Sequence, residues 1–373
     1  WLGPPWRGPG SASFSDSVAS TMPPPQVLVV GAGVTGSLLA MMVKEMGISV
    51  SVIEKSRAPG GRMATHSFRK GGRDSPVLAR ADMGAQYITT RSAPDHPELG
   101  PIYRQLLDAE VLRPFTGEVA GPNPYGGEES SVRHFSAPRG LQAVSAHFLE
   151  TGAVPVEYGQ AVSEISLGAD GAINVALSSG DSDGTVVAPA AVVLTQPVPQ
   201  VLGDSKFPLR GNFLESTDQA ALDSLKKVQY SSRFAAAFFF DGFKWPYAWT
   251  AHYFDGGAVR YVSHDSGKRG SQGEEAVSVV VHSGVPLGIE LADEEDPFPQ
   301  AAARLRSDLE AKLPEVPWGD AHVKVHKWKY SQVYKGLGGK KPAPDWVWEP
   351  SLVGADSAFP GAVALFRTQK AFG

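Results

Sequence analysis

The chain has 373 residues, no cysteine, 42% hydrophobic and 20% charged residues, and a formal net charge of −5. Without cysteine it has no disulfide, thiolate metal site, thiol nucleophile or cysteinyl link to a flavin, and its acidic balance gives no support for nucleic acid or an anionic membrane as partner. Its length exceeds the roughly 250–300 residues at which single cores stop growing, so two domains are expected.

Trp1 to Pro25 is rich in Gly, Pro and Ser, lacks the basic start and apolar middle of a signal peptide, and contains the first Met, Met22. Residues 1–25 are therefore expected to be a disordered extension. No run reaches the roughly 18 apolar residues that cross a bilayer. A cytoplasmic location is the default expectation, with secretion lacking a visible signal as the alternative.

Val27-Leu-Val-Val30 reads as a buried strand, and Gly31-Ala-Gly-Val-Thr-Gly36 follows it directly. Gly31 permits the tight turn, Gly33 lets a pyrophosphate approach the backbone, and Gly36 lets the next helix pack closely. That helix spans Gly36 to Met46 and is largely apolar, and Gly47 ends it. Ser49 to Ile53 is a second strand, closed by Glu54, which is placed to accept from ribose hydroxyls. A lone glycine motif is weak, but strand, turn, helix and acid together point to a bound dinucleotide.

Residues 66–80 are basic and Gly-rich and read as a surface loop. Gly140 to Thr151 reads as a helix, because Leu141, Val144 and Phe148 recur at helical spacing. Val154–Tyr158, Gln160–Leu167 and Ile173–Leu177 read as strands, the last two joined by a turn at Gly168–Gly171, and Ala191–Thr195 as a buried strand. Asp218–Lys227 is a short helix. Beyond it Arg233–Phe240, Ala258–His264 and Ala276–Ser283 suggest an antiparallel sheet in a second domain. Pro299–Leu313 reads as a helix, His322–Tyr330 as a strand and Lys335–Lys341 as a solvated loop. His322 and His326 alternate along that strand without partner ligands, so no metal site is expected.

After Glu54 the chain reads Gly60-Gly-Arg-Met63 and then Asp82-Met-Gly-Ala-Gln-Tyr-Ile-Thr89. This pattern resembles the FAD-binding segments of the FAD-dependent amine oxidase superfamily. A second Gly-rich turn with an arginine suits a long dianionic ligand that one phosphate turn cannot hold. Further segments are similar to the renalase family: Val111-Leu-Arg-Pro114, Leu194-Thr-Gln-Pro-Val-Pro199, Val228-Gln-Tyr-Ser-Ser-Arg233, Arg260-Tyr-Val-Ser263 and Lys327-Trp-Lys-Tyr-Ser-Gln-Val333. They run in the family's order from about residue 26 to 335.

The resemblance implies an α/β fold with a glutathione-reductase-like FAD-binding Rossmann domain and an α+β substrate domain. The division it implies is 26–90, 137–200 and 334–373 for the FAD-binding domain, with 91–136 and 201–333 for the substrate domain. It implies an oxidase that takes a hydride from 2- and 6-dihydro isomers of NAD(P) and reduces O₂, yielding H₂O₂ and oxidised NAD(P). The FAD contacts it implies are Gly31, Gly33, Thr35, Gly36, Glu54, Gly61, Arg62, Gln86 and Tyr87, with Val162 near the adenine. A monomer or weak dimer is expected.

Hydride transfer to a flavin needs little acid–base help, so no catalytic dyad is expected. Tyr230, Arg233, Trp328 and either His264 or His282 are the candidates for the substrate face. Arg233 would pair with a substrate phosphate and Trp328 would offer a flat face for stacking. Each also has a plain reading as a sheet-packing or loop residue. The family's closing Gly-rich strand–turn–helix has only a poor echo at Val353–Phe359, from which weakened FAD retention is expected. Two other readings stay open: an oxidase of catecholamine-like amines, and a non-enzymatic signalling or pseudo-enzyme form.

Overall fold

The computed structural model describes residues 26–72, 74–90, 99–122, 132–179, 182–203, 209–215, 217–270, 274–336 and 362–365. The expected extension at 1–25, the Val353–Phe359 segment and residues 337–341 of the expected loop lie outside the described residues.

Five short strands form one parallel sheet, in the spatial order Ala362–Leu365, Ala191–Leu194, Val27–Val30, Val50–Glu54, Val156–Tyr158. Val27–Val30 and Ala191–Leu194 are wholly apolar, as parallel strands covered on two faces must be. Val29, Val50, Val52 and Val193 point to one face, where Ala40 of the helix Val34–Glu45 and Leu149 of the helix Gln142–Thr151 meet them. Leu28, Val30, Ile53, Val192 and Leu194 point to the other, against Ile165, Ile173, Val175 and Leu177. Those last residues belong to a three-stranded antiparallel sheet made of Ala161–Leu167, Ile173–Ser179 and Ser182–Val187. The parallel sheet is thus a middle layer between helices and a second sheet.

The second large sheet has six strands, in the order His322–Lys335, Gln229–Asp241, Ala276–Ser283, Val259–His264, Ala251–Tyr253, Val119–Ala120. Its pairings are antiparallel except the last. The long strand Gln229–Asp241 alternates cleanly from Phe234 to Phe240. Phe234, Ala236, Phe238 and Phe240 enter a core closed by Leu305 and Leu309 of the helix Phe298–Lys312 and by Trp318. Ala235, Ala237 and Phe239 face the other way, onto Ala79, Ala81 and Met83.

One expectation is corrected. Residues 66–80 are not simply a loop, because Thr65–Phe68 and Ala79–Asp82 pair as antiparallel strands. Each strand is four residues long and mixes polar with apolar side chains, so neither shows a run of its own. Phe68 stacks on Phe239 with ring centroids 4.5 Å apart, which fixes this hairpin to the inner face of the six-stranded sheet.

Candidate cofactor and substrate site

The glycine turn is built by close backbone approach. Gly31 has φ +106°, and a Cβ there would lie 2.7 Å from Thr195 Oγ1. A Cβ on Gly36 would lie 2.0 Å from the Gly31 carbonyl oxygen, well inside any real contact. No side chain caps the helix that starts after Gly33, so its N-terminus faces the turn with backbone groups alone. Glu54 is buried at the end of its strand, where its carboxylate accepts from Ala32 N at 2.8 Å and Ser56 N at 2.7 Å. A carboxylate has about four acceptor positions, so capacity remains for hydroxyl donors.

The second glycine turn is stitched to the first. Gly33 bridges Gly60 in parallel fashion, and Gly60 N donates to Ala32 O at 2.8 Å. Gly61, at φ +53°, leaves its Cβ position 3.3 Å from Gly33 Cα. Arg62 follows within the same turn. Its Nη1 donates to Ser331 O at a long 3.5 Å, and burial lowers its pKa against the opposing influence of nearby Tyr230. Thr35 lies in the first turn of the helix. Val162 lies in the strand Ala161–Leu167, next to a register shift.

Behind Arg62 the backbone runs through Asp82-Met-Gly-Ala-Gln86. Gly84 is required there, since a Cβ would fall 1.9 Å from Arg62 O. Ala85 N donates to that same oxygen at 2.9 Å. Trp328 Nε1 donates to Met83 O at 2.8 Å, which holds the indole against this segment. The Gln86 side chain turns inward rather than outward. Its Nε2 donates to the carbonyls of Asp82 and of Gly84, and its Oε1 accepts from Lys268 Nζ at 3.4 Å. Gln86 therefore offers a ligand its backbone, not its amide. Tyr87 is buried, its hydroxyl 2.8 Å from that of Tyr253.

Four of the substrate-face candidates gather on the inner face of the six-stranded sheet. Arg233 is paired in register with Trp328, and its Nη2 donates to Gln332 Oε1 at 3.2 Å. Tyr230 accepts from Val198 N at 3.3 Å and meets Tyr330 edge-on. His282 sits beside Gln86, with Nε2 to Nε2 at 3.3 Å. Arg62, from the second glycine turn, and Arg233, from the six-stranded sheet, thus bond to the neighbouring residues Ser331 and Gln332.

The structure does not bring His264 to this group. His264 pairs with Val279 while His282 pairs with Tyr261 and Ala235, and strand alternation puts the two histidines on opposite faces. His264 stacks on Trp245 at 5.3 Å on the helix-covered side. Burial drops its pKa to about 4. His322 contacts Phe68 and His326 contacts Trp328, both as aromatic packing partners.

Sequence reasoning missed the ion cluster behind the site. Lys268 is fully buried between Asp265 at 2.6 Å and Asp82 at 3.3 Å, and Arg269 joins Asp265 and Glu274, each at 2.9 Å. Burial would raise the Asp265 carboxyl, but Lys268 and Arg269 outweigh it and hold it below the usual range. The run Asp265-Ser-Gly-Lys-Arg269 was the available signal. A short charged stretch after a strand otherwise reads as surface.

The two joined glycine turns, with backbone positions that any Cβ would fill, and the thinly bonded Arg62 beside them suit an extended dianionic dinucleotide. Comparison with known proteins agrees. Residues 29–106 match the NAD(P)-binding Rossmann-like domain family. Wild-type putrescine oxidase bound to putrescine has a similar fold, with TM-score 0.56 at 13% identity over 91% of this chain and 93% of that one. A protein from Exiguobacterium sp. 255-15 assigned as a protoporphyrinogen oxidase gives TM-score 0.60 at 12% identity, over 84% and 88%. A 99-residue stretch is 36% identical to lysine-specific histone demethylase 1 homolog 1 of Oryza sativa subsp. japonica, covering 26% of this chain and 11% of that protein. Renalase from Mus musculus is 31% identical over 343 residues, which are 90% of this chain and 93% of that protein.

The class is therefore that of the FAD-dependent oxidoreductases. Within it, the chain belongs to the renalase family.

Proposed function

We propose that the chain oxidises dihydro-NAD(P) isomers carrying the hydride at the 2- or 6-position, with FAD held in a glutathione-reductase-like domain made of residues 26–90, 137–200 and 334–373. Residues 91–136 and 201–333 would form the substrate domain. Gly31, Gly33, Thr35 and Gly36 would hold the pyrophosphate, Glu54 the adenosine ribose and the Val162 backbone the adenine. Gly61 and Arg62 would reach the flavin side of the pyrophosphate, and the backbone at Gln86 and Tyr87 would run beside the ring. When bound, FAD supplies the hydride acceptor and passes the electrons to O₂, giving H₂O₂ and oxidised NAD(P).

The observation that carries this reading is the charge on the inner sheet face. Arg62 and Arg233 converge on Ser331 and Gln332, while the nearby carboxylates Asp82 and Asp265 are buried against Lys268. With Arg62 assigned to the pyrophosphate of FAD, the Arg233 guanidinium is left to favour a phosphate-bearing substrate and disfavour an ammonium. The nearby histidine offers no base, since burial, Arg233 and Lys268 push His282 down to about 3. Tyr230, Arg233 and Trp328 would line the substrate, Arg233 pairing with a phosphate and Trp328 offering a stacking face.

Anaerobic mixing with borohydride-generated isomers of NADH tests it. Rapid bleaching of the flavin band by these isomers, and none by catecholamine-like amines, is the expected result. Bleaching by amines alone overturns the reading, and a purified protein without flavin absorbance favours the non-enzymatic form. Arg233→Met is expected to raise KM by about ten- to a hundredfold, the loss of one charge-assisted phosphate contact.

A further inference from the structure

The orientation of the Gln86 amide is over-determined. The carbonyls of Asp82 and Gly84 only accept, so the amide nitrogen must face them. The Lys268 ammonium only donates, so the amide oxygen must face it, 3.4 Å away. Lys268 is itself held in place, fully buried, by Asp265 at 2.6 Å and Asp82 at 3.3 Å. These groups permit one amide orientation, and it puts the amide nitrogen, which cannot accept and whose two hydrogens face the carbonyls of Asp82 and Gly84, 3.3 Å from His282 Nε2. An Nε2–H on His282 would face this donor-only nitrogen, which favours the proton on Nδ1, and the Met83 backbone lies within hydrogen-bond reach of the ring.

We propose that Lys268 is a positioning residue: through Gln86 it locks His282 as the neutral Nδ1–H tautomer and removes it from acid–base chemistry at the substrate face. His282 becomes a strut between Gln86 and Met83, and so steadies the Met83–Ala85 backbone that packs on Arg62 and Trp328. The charged and titratable groups facing His282 are Arg233 from its own sheet, Lys268 and Asp265 from the short helix Asp265–Arg269, and Tyr261 at 5.7 Å. The two cations oppose protonation and Asp265 favours it. The inference deepens the reading of the site as one for hydride transfer, but its main readout needs neither flavin nor substrate.

The test is nitrogen-15 NMR of histidine-labelled full-length protein, with the His282 resonances assigned by their loss in His282→Gln. The parent is expected to show a protonated Nδ1 and an unprotonated Nε2 throughout pH 5 to 8. Lys268→Met is expected to give a tautomer mixture and to raise the His282 titration midpoint by about one pH unit or more. Gln86→Leu keeps the Lys268 ion pairs and is expected to mix the tautomers as well, so it carries the test should Lys268→Met fail to fold. An Nε2–H tautomer in the parent overturns the proposal, as does an unchanged tautomer and midpoint in the folded variants. Failure of the substrate reading would instead show as absent bleaching with the His282 pattern intact.

Discussion

The parallel sheet around Val27–Val30 is apolar on both faces, whereas the six-stranded sheet around Gln229–Asp241 is apolar on one face and carries Arg233, His282 and buried ion pairs on the other. The first leaves recognition to backbone at its strand ends, in turns that glycine alone can make. The second brings the substrate-face candidates Arg233, Trp328 and His282 together as side chains placed by register. The contrast teaches that the cofactor side tolerates almost no added atoms, while the substrate side is sensitive to charge and protonation.

The largest expected effect breaks the backbone side. Gly36→Val forces a Cβ to 2.0 Å from the Gly31 carbonyl oxygen, and backbone cannot swing away as a flexible side chain would. Loss of at least about 4 kcal/mol of stability, with loss of flavin absorbance, is expected in thermal melts and visible spectra.

Protonation probes the other side. His282 lies at about 3 in the folded protein, against about 6.5 for an unfolded histidine. The unfolded state then binds more protons between those values, so stability is full above about pH 6.5 and falls as pH drops towards 3. The loss is at most about 1.4 kcal/mol per pH unit from this group. His282→Gln is expected to flatten the corresponding part of the curve of melting temperature against pH. An equally steep fall in that variant would assign the effect to other groups.

The smallest expected effect sharpens the comparison at Glu54, whose buried carboxylate accepts from two backbone N–H groups of the glycine-turn region. Glu54→Gln keeps one acceptor oxygen but loses a charged hydrogen bond to Ala32 N or Ser56 N, about 1–2 kcal/mol. Denaturant melts of the flavin-free protein read this directly, and FAD titration reads any added loss at the ribose.

The two sides differ equally in how far they can be read from the chain. Gly31, Gly33, Gly36 and Glu54 are close in sequence and act through fixed spacing, so strand, turn, helix and acid follow one another legibly. The inner face of the six-stranded sheet does not work that way. Its long strand carries a register shift between Ser231 and Arg233 that pairs Arg233 with Trp328. Which of His264 and His282 reaches the site depends on how their own strands pair, His264 with Val279 and His282 with Tyr261 and Ala235, not on either residue's neighbours. The Lys268 cluster was hidden for the same reason. Its partners Asp82 and Gln86 lie more than 180 residues away along the chain and arrive only on folding.

The strand Ala362–Leu365 completes the edge of a sheet whose other members end by Leu194. Chain closure therefore spans five of the six strands of the six-stranded sheet, and the contact has a very high sequence separation. Such pairings carry a late entropic cost and slow the search for the native state. On the ribosome, the neighbouring strand Ala191–Leu194 emerges long before its partner has been synthesised, and its open edge must wait for it. Truncation before residue 362 is accordingly expected to affect yield and aggregation during synthesis more than the fold of the six-stranded sheet.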